Sequence, residues 1–182
     1  MSNEPCPTRV ELTGGSSIHF EEYLVRDGAP TDVEDIDLSA AEAASPAPGV
    51  IEAIESAHTI LVCPSNPIVS IGPILAVRGV REALDASSAP IVAVSPIVSG
   101  APIKGPAHTL LRALGIEVSA LGVASFYRDW IGGFVFDERD ADLLPAIEAT
   151  GLAAAHTDTM MVDASVSESV ARKALEVADQ LR

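Results

Sequence analysis

Two short apolar runs, Ile60–Cys63 and Pro90–Val94, constrain this chain most. Both are rich in β-branched residues, and neither alternates polar with apolar positions, the pattern of strands covered on both faces of a parallel sheet. Each is followed by the same tetrapeptide: Pro67-Ile68-Val69-Ser70 with Gly72 just beyond, and Pro96-Ile97-Val98-Ser99 with Gly100. The two copies lie 29 residues apart, the size of one βαβ unit of ~30 residues. The stretch GVREALDAS between them reads as the crossover helix. Parallel strands would send both Pro/Ser/Gly loops out at their C-terminal ends, where open α/β sheets bind ligands. The functional cleft is therefore expected between these loops.

The rest of the chain extends this reading. The runs VELT and IHFEEYLV flank Gly14-Gly15-Ser16-Ser17 and predict an N-terminal β-hairpin. From Arg26 to Pro48 the chain turns acidic and alanine-rich, an irregular or edge segment leading to a helix near Val50 to Ala57. PAHTLLRALG predicts a helix stopped by Gly115, GGFVFDE a strand, ADLLPAIEATG a helix with Pro145 in its first turns, and AAAHT a further strand. Near the C-terminus, Val166, Val170, Ala174, Val177 and Leu181 share one helical face. The expectation is one α/β domain over residues 1–182, a mostly parallel Rossmann-like sheet with flanking helices and an N-terminal hairpin.

Charge narrows the partners. With 26 Asp and Glu against 11 Lys and Arg, a formal net charge of −15, the chain lacks the basic face that releases counterions from nucleic acid. It is equally unsuited to anionic membranes. Such acidity suits a protein kept soluble in a salty cytoplasm, where screening removes most self-repulsion. The uncharged stretches 59–77 and 86–103 each carry three prolines, which would break a spanning helix repeatedly. The N-terminus has neither a basic n-region nor an apolar h-region, and Cys6 and Cys63 form no metal or disulfide framework. A cytoplasmic location is expected.

The residues able to carry chemistry cluster after the strands. Ser65 and Asn66 offer a hydroxyl and an amide at a strand end, Pro67 and Pro73 stiffen the turns, and Gly72 leaves room for backbone N–H groups to approach a ligand. The alternative is that Ser65 and Asn66 only tie off a strand-to-helix turn. Lys104, in a Gly-Pro loop beside Gly105, either neutralises a phosphoryl oxygen or is a solvated surface lysine. Asp158 and Thr159 follow a strand and either face the cleft or cap a turn. Phe126, Tyr127 and Trp130 stack on a ring system or belong to the core. Glu34, Asp35 and Asp37 read as a solvated face. No GxGxxG, GxxxxGK[ST] or GxSxG motif occurs. Spacing alone names no catalytic residue and no metal ligand.

Taken in order, Met1–Glu4, IHFEEYLV (18–25), APGVIEAI (47–54), PSNPIVSIGPILAVRGVREAL (64–84), APIVAVSPIVSGAPIKGPA (89–107) and TDTMM (157–161) resemble the 2-phospho-L-lactate transferase family of coenzyme F420 synthesis. The resemblance spans nearly the whole chain. It implies a Rossmann-like fold and transfer of a phospholactyl group, phosphoenolpyruvyl in some bacteria, from a guanosine diphosphate-type donor. The acceptor is the ribityl hydroxyl of the deazaflavin Fo, GMP is released, and Mg²⁺ takes part. It makes Ser65, Asn66, Pro67, Ser70, Gly72, Lys104, Gly105, Asp158 and Thr159 walls of the Fo and donor cleft, and it implies a homodimer. The acidic composition leans toward lactate.

Family members begin with a strand, a GGxGG-type loop and an NxGDD-type segment whose aspartates are the expected metal ligands; neither motif occurs here. The chain therefore resembles the C-terminal, larger part of a family member, lacking the N-terminal glycine-rich βα unit and expected not to turn over alone. Two other readings stay open. One is a non-catalytic Fo- or nucleotide-binding half, or a remnant, that works with a separate N-terminal part. The other is a regulatory sugar-nucleotide binder similar to gluconeogenesis-factor relatives, whose corresponding loop is of GPGSxYTS type where this chain has PSNPIVSIGP.

Overall fold

The computed structural model describes all 182 residues. The chain forms two compact units, one comprising 1–56, 66–86 and 104–116, the other 57–65, 87–103 and 117–182.

The first unit opens with the expected hairpin. β1 (Arg9–Leu12) pairs antiparallel with β2 (Ser16–His19), through a loop in which Gly14 and Gly15 take positive φ and the Gly15 N–H donates to Leu12 O. The second strand is shorter than IHFEEYLV suggests. Tyr23 is fully buried and donates its hydroxyl to Pro30 O, so the chain coils into a π-helical turn at Glu22–Arg26 instead of running on. The acidic segment then supplies an edge strand, β3 (Val33–Asp37), on the other side of β1, with Glu34 and Asp35 exposed. Five helices complete the unit: α1 (Ser39–Ala43), α2 (Val50–Glu55), α3 (Gly72–Ala76), α4 (Val80–Ala86) and α5 (Ala107–Ala113). Gly115 ends α5 as expected: at φ +69° it lets its own N–H reach Arg112 O and that of Ile116 reach Leu111 O, satisfying two terminal carbonyls.

The second unit holds the parallel sheet, in the order β4 (Ile60–Val62), β5 (Ile91–Val94), β8 (Gly133–Asp137), β9 (Ala153–Thr157), with every neighbouring pair parallel. The apolar runs that predicted strands are these strands, but β4, expected to be covered on both faces, lies at the sheet edge and leaves Leu61 exposed. All four residues of β5 and all five of β8 are buried. The C-terminal helix α8 (Ala164–Asp179) packs on one face, setting Val170, Ala174, Val177 and Ala178 against Val92, Val94 and Val135. Asp163 caps it by accepting from Val166 N at 2.9 Å. Leu181 lies past its end. Two further helices, α6 (Ala120–Tyr127) and α7 (Leu144–Glu148), belong to the unit, and Tyr127 and Trp130 are core residues whereas Phe126 is exposed. α7 starts later than ADLLPAIEATG suggests, because Pro145 cannot be accommodated behind an α-helical turn; residues 138–143 form a 3₁₀ turn instead.

The two Pro-Ile-Val-Ser copies, expected to be similar loops, fold differently. After β4, Asn66 Oδ1 accepts from Ile68 N (2.9 Å) and Val69 N (3.3 Å), and Pro67–Ile71 becomes a π-helical turn running into α3. At the matching position after β5 stands Ser95, whose shorter hydroxyl reaches only Ile97, bonding both its N–H and its C=O. Ser99 and Gly100 then take φ +51° and +73°, making a two-residue turn between β6 (Ile97–Val98) and β7 (Ala101–Pro102). Tight hairpins of this kind need two positive φ values in succession; the first copy has Ile71 where the second has Gly100, and β-branched residues resist that conformation.

The contact of sheet and helix leaves no room at Gly133. A Cβ there would lie 2.6 Å from Val177 Cγ1 and 3.0 Å from Val92 Cγ2. Gly133→Ala should destabilise the protein by about 1–3 kcal/mol through overpacking, measured as a lower midpoint in urea with an unchanged slope.

Candidate functional site

In the first unit, Asn66 has its carboxamide oxygen committed to two backbone donors. Pro67, buried, starts the turn where a missing N–H costs nothing. Ser70 lies half-buried within it, and Gly72 carries ordinary helical angles, its N–H donating to Pro67 O. That N–H is thus engaged in closing the turn, and the loop foreseen here is helical. Lys104 and Gly105 are exposed in the connection leading to α5, which packs on the Pro67–Ile71 turn. The structure therefore places Asn66 and Ser70 on one helical turn, and the Lys104 loop ahead of the helix that packs on it.

In the second unit, Ser65 sits half-buried shortly after β4. Asp158 and Thr159 leave the C-terminal end of β9 and join residues that sequence reasoning passed over. The Asp137 side chain, the last of β8, is fully buried. It accepts four hydrogen bonds: Oδ1 from Arg139 N (3.0 Å) and Arg139 Nη1 (2.7 Å), Oδ2 from Thr159 N (2.8 Å) and Thr159 Oγ1 (2.8 Å). Burial pushes this carboxyl up, but the donors from Arg139 and Thr159 outweigh it and hold the group below the ordinary carboxylate range. Asp158 Oδ1 accepts from Met160 N at 3.0 Å and from Arg139 Nη1 at 3.4 Å. Asp140, also buried, accepts from Ser99 N at 2.8 Å and so ties the β6–β7 hairpin to the same turn. One segment, residues 137–140, therefore fastens two loops, the chain leaving β9 and the β6–β7 hairpin, to the turn after β8 at the C-terminal edge of the parallel sheet. The signal that announces it is a carboxylate ending an uninterrupted apolar strand, FVFD, where burial obliges it to find donors.

A catalytic Mg²⁺ does not fit these residues. No three His, Cys, Asp or Glu side chains gather so as to hold a metal ion, Asp137 spends both oxygens on N–H and O–H donors, and Asp140 commits Oδ2 to Ser99 N.

Comparison with known proteins settles the family. The model for the 2-phospho-L-lactate transferase CofD matches residues 1–178. The chain belongs to this family. It is 45% identical to a phosphoenolpyruvate transferase of Kitasatospora aureofaciens over 186 aligned positions, covering all of this chain and 58% of the relative. It is 43% identical to a 2-phospho-L-lactate transferase of Methanosarcina mazei, covering 94% of this chain and 55% of that one. The chain thus spans a little over half the length of these curated relatives. Among solved structures it resembles a Bacillus halodurans protein of the UPF0052 family, with a TM-score of 0.59 at 18% identity, over 93% of this chain and 59% of the other. That likeness concerns the fold. No helix is long and apolar enough to cross a membrane.

Asp137→Asn replaces an acceptor by an amide among donors and should cost about 3 kcal/mol near neutral pH. Because folding lowers this carboxyl's pKa below the unfolded ~3.9, its contribution is complete above that pH and is lost as pH falls through the folded value. The stability gap between wild type and variant in denaturant titrations should therefore close in acid. Asn66→Asp keeps the capping oxygen and loses the amide donor, so it should leave the thermal midpoint nearly unchanged while weakening any ligand that the amide N–H holds; Asn66→Ala should cost about 1 kcal/mol of stability.

Proposed function

We propose that this chain carries the substrate-binding portion of a transferase that moves a 2-phospho-L-lactyl group, or its phosphoenolpyruvyl counterpart, from a guanosine diphosphate-linked donor to the deazaflavin Fo. The observation that carries the reading is the family match across residues 1–178, with relatives named for both transfers. In the reaction the terminal ribityl hydroxyl of Fo bonds to the phosphorus bearing the lactyl group, the bond from that phosphorus to the bridging oxygen breaks, GMP leaves, and the hydroxyl proton is lost. On this reading the residues of the chain bind and orient. Asn66 and Ser70 serve on their helical turn, with Lys104 offering a mobile positive charge to a phosphoryl oxygen. Ser65, Asp158 and Thr159 serve at the strand ends of the parallel sheet.

The reaction's Mg²⁺, when bound, neutralises charge on the phosphoryl groups. We assign its ligands to carboxylates outside these 182 residues, because the acidic side chains here do not converge. The same reasoning supports a complementary N-terminal part as a working partner, on the same chain or a separate one; a cytoplasmic location and pairing as a homodimer complete the proposal on the family resemblance alone.

The test is transfer to Fo by the purified chain in high salt with Mg²⁺ and the guanosine-linked phospholactate donor, with the charged product followed chromatographically. Fo binding without turnover is expected for the chain alone, and turnover once the N-terminal part of a family relative is added. Turnover by the chain alone would overturn the assignment of the metal. Absence of both Fo binding and turnover, with and without the added part, would overturn the transferase reading.

A further inference from the structure

Arg139 is placed unlike the other cations of the chain. The remaining arginine and lysine ion pairs join partly or fully exposed partners, such as Arg81–Asp85, Arg172–Glu168 and Lys173–Glu176, and hold their side chains only loosely. Arg139 is half-exposed, yet its Nη1 lies 2.7 Å from a carboxylate whose side chain is wholly out of solvent. A buried carboxylate held by three other hydrogen bonds cannot move to follow the guanidinium, so it fixes the guanidinium instead. Both intramolecular contacts use the same nitrogen: Nη1 also meets Asp158 Oδ1 at 3.4 Å. Nε and Nη2, the edge with which arginine grips an oxyanion in bidentate fashion, have no protein partner.

The position of this edge matters as much as its freedom. Arg139 lies two residues past the end of β8, and Asp158 directly follows the last residue of β9. Both strands are parallel, so the pair stands at the C-terminal edge of the sheet, the side on which open α/β sheets take ligands. The neighbouring residues brace it on both sides, Asp137 through Thr159 and Asp140 through Ser99 of the hairpin. A preorganised guanidinium loses less side-chain freedom on binding than a free surface arginine does.

We propose that Arg139 is an anion-binding residue, with Asp137 its positioning residue, and that its Nε–Nη2 edge takes a phosphoryl or carboxylate group of a ligand. Asp158, exposed and at a long 3.4 Å, is the internal competitor that weakens this charge until a ligand arrives. The inference rests on the proposed function only in taking the C-terminal edge as the ligand side. Its test reads anion binding directly, so a chain that binds but does not transfer leaves it standing.

The test is titration of inorganic phosphate and, separately, of acetate into the full 182-residue chain at low salt, followed by backbone amide shifts and calorimetry. Saturable binding of one anion or both is expected, with shifts concentrated at residues 137–140 and 158–160; the tighter of the two identifies the oxyanion class. Arg139→Gln should weaken it about tenfold or more, and Arg139→Lys should retain part of it. Asp158→Asn should tighten it about threefold by removing the competing charge. A purely structural ion pair gives a different result: Arg139→Gln and Asp158→Asn both lower the thermal midpoint, and neither changes anion affinity. That result, or no saturable binding by wild type, would overturn the proposal. If Arg139→Gln does not fold, the opposite signs expected for Arg139→Lys and Asp158→Asn decide it.

Discussion

A carboxylate sealed in a protein interior must find donors, and Asp137 shows how much structure that need can organise. It ends the most deeply buried strand of the sheet. Removing its charge from water would be prohibitive without partners, and it finds them in the chain leaving β9 and in the turn directly after it. The C-terminal ends of β8 and β9 are thereby locked together beyond the ladder that pairs the strands themselves. The turn that follows carries Asp140, which captures the β6–β7 hairpin in its turn. Loops at this edge are therefore held by side-chain chemistry, while the opposite requirement, an apolar helix against an apolar sheet, is met by α8.

The centre of the sheet was legible in the sequence because β5 and the FVF run of β8 are apolar without interruption, as strands covered on both faces can be; the outer strands β4 and β9 are only partly covered, with Leu61 and His156 exposed. ILVC, PIVAV, FVF and AAAHT each became parallel strands. What pattern could not resolve was the behaviour of one tetrapeptide in two settings. Pro-Ile-Val-Ser is a helical turn after Asn66 and a strand after Ser95. The difference lies in flanking side chains: a carboxamide long enough to cap two N–H groups in one case, and a glycine able to follow Ser99 into positive φ in the other. Local similarity of four residues does not outweigh these neighbours. Likewise, the strand pattern of IHFEEYLV gave way to the burial of one ring, Tyr23, whose hydroxyl finds Pro30.

The polar residues were less legible than the strands. Ser65, Asn66, Lys104, Asp158 and Thr159 attract notice because they sit beside glycine and proline. Asp137, Glu138, Arg139 and Asp140 look instead like a solvated charge run, the commonest fate of such a string. Burial separates them: Asp137 and Asp140 turn inward while Glu138 and Arg139 remain outside or half outside. No periodicity in so short a segment announces this, because a 3₁₀ turn with a kink at Asp140 sets the directions. The one available clue is chemical, the carboxylate that closes an otherwise wholly apolar strand.

The charge balance of the chain bears on the same turn. At a net charge of −15, the protein repels an anion approaching from solution, and at low ionic strength that repulsion extends over tens of ångströms. Salt shortens its reach to about 3 Å at 1 M, which suppresses repulsion from distant carboxylates far more than a contact hydrogen bond. A guanidinium fixed at 2.7 Å by a buried carboxylate therefore keeps its geometry where loosely held surface pairs lose most of their value. Its exposed neighbour Asp158, at a longer distance, is the partner that salt screens first. High ionic strength would thus lower the long-range barrier to an anion and loosen the competing contact while leaving the positioning contact in place. A strongly acidic surface and an arginine held from beneath are in this sense compatible features of one protein.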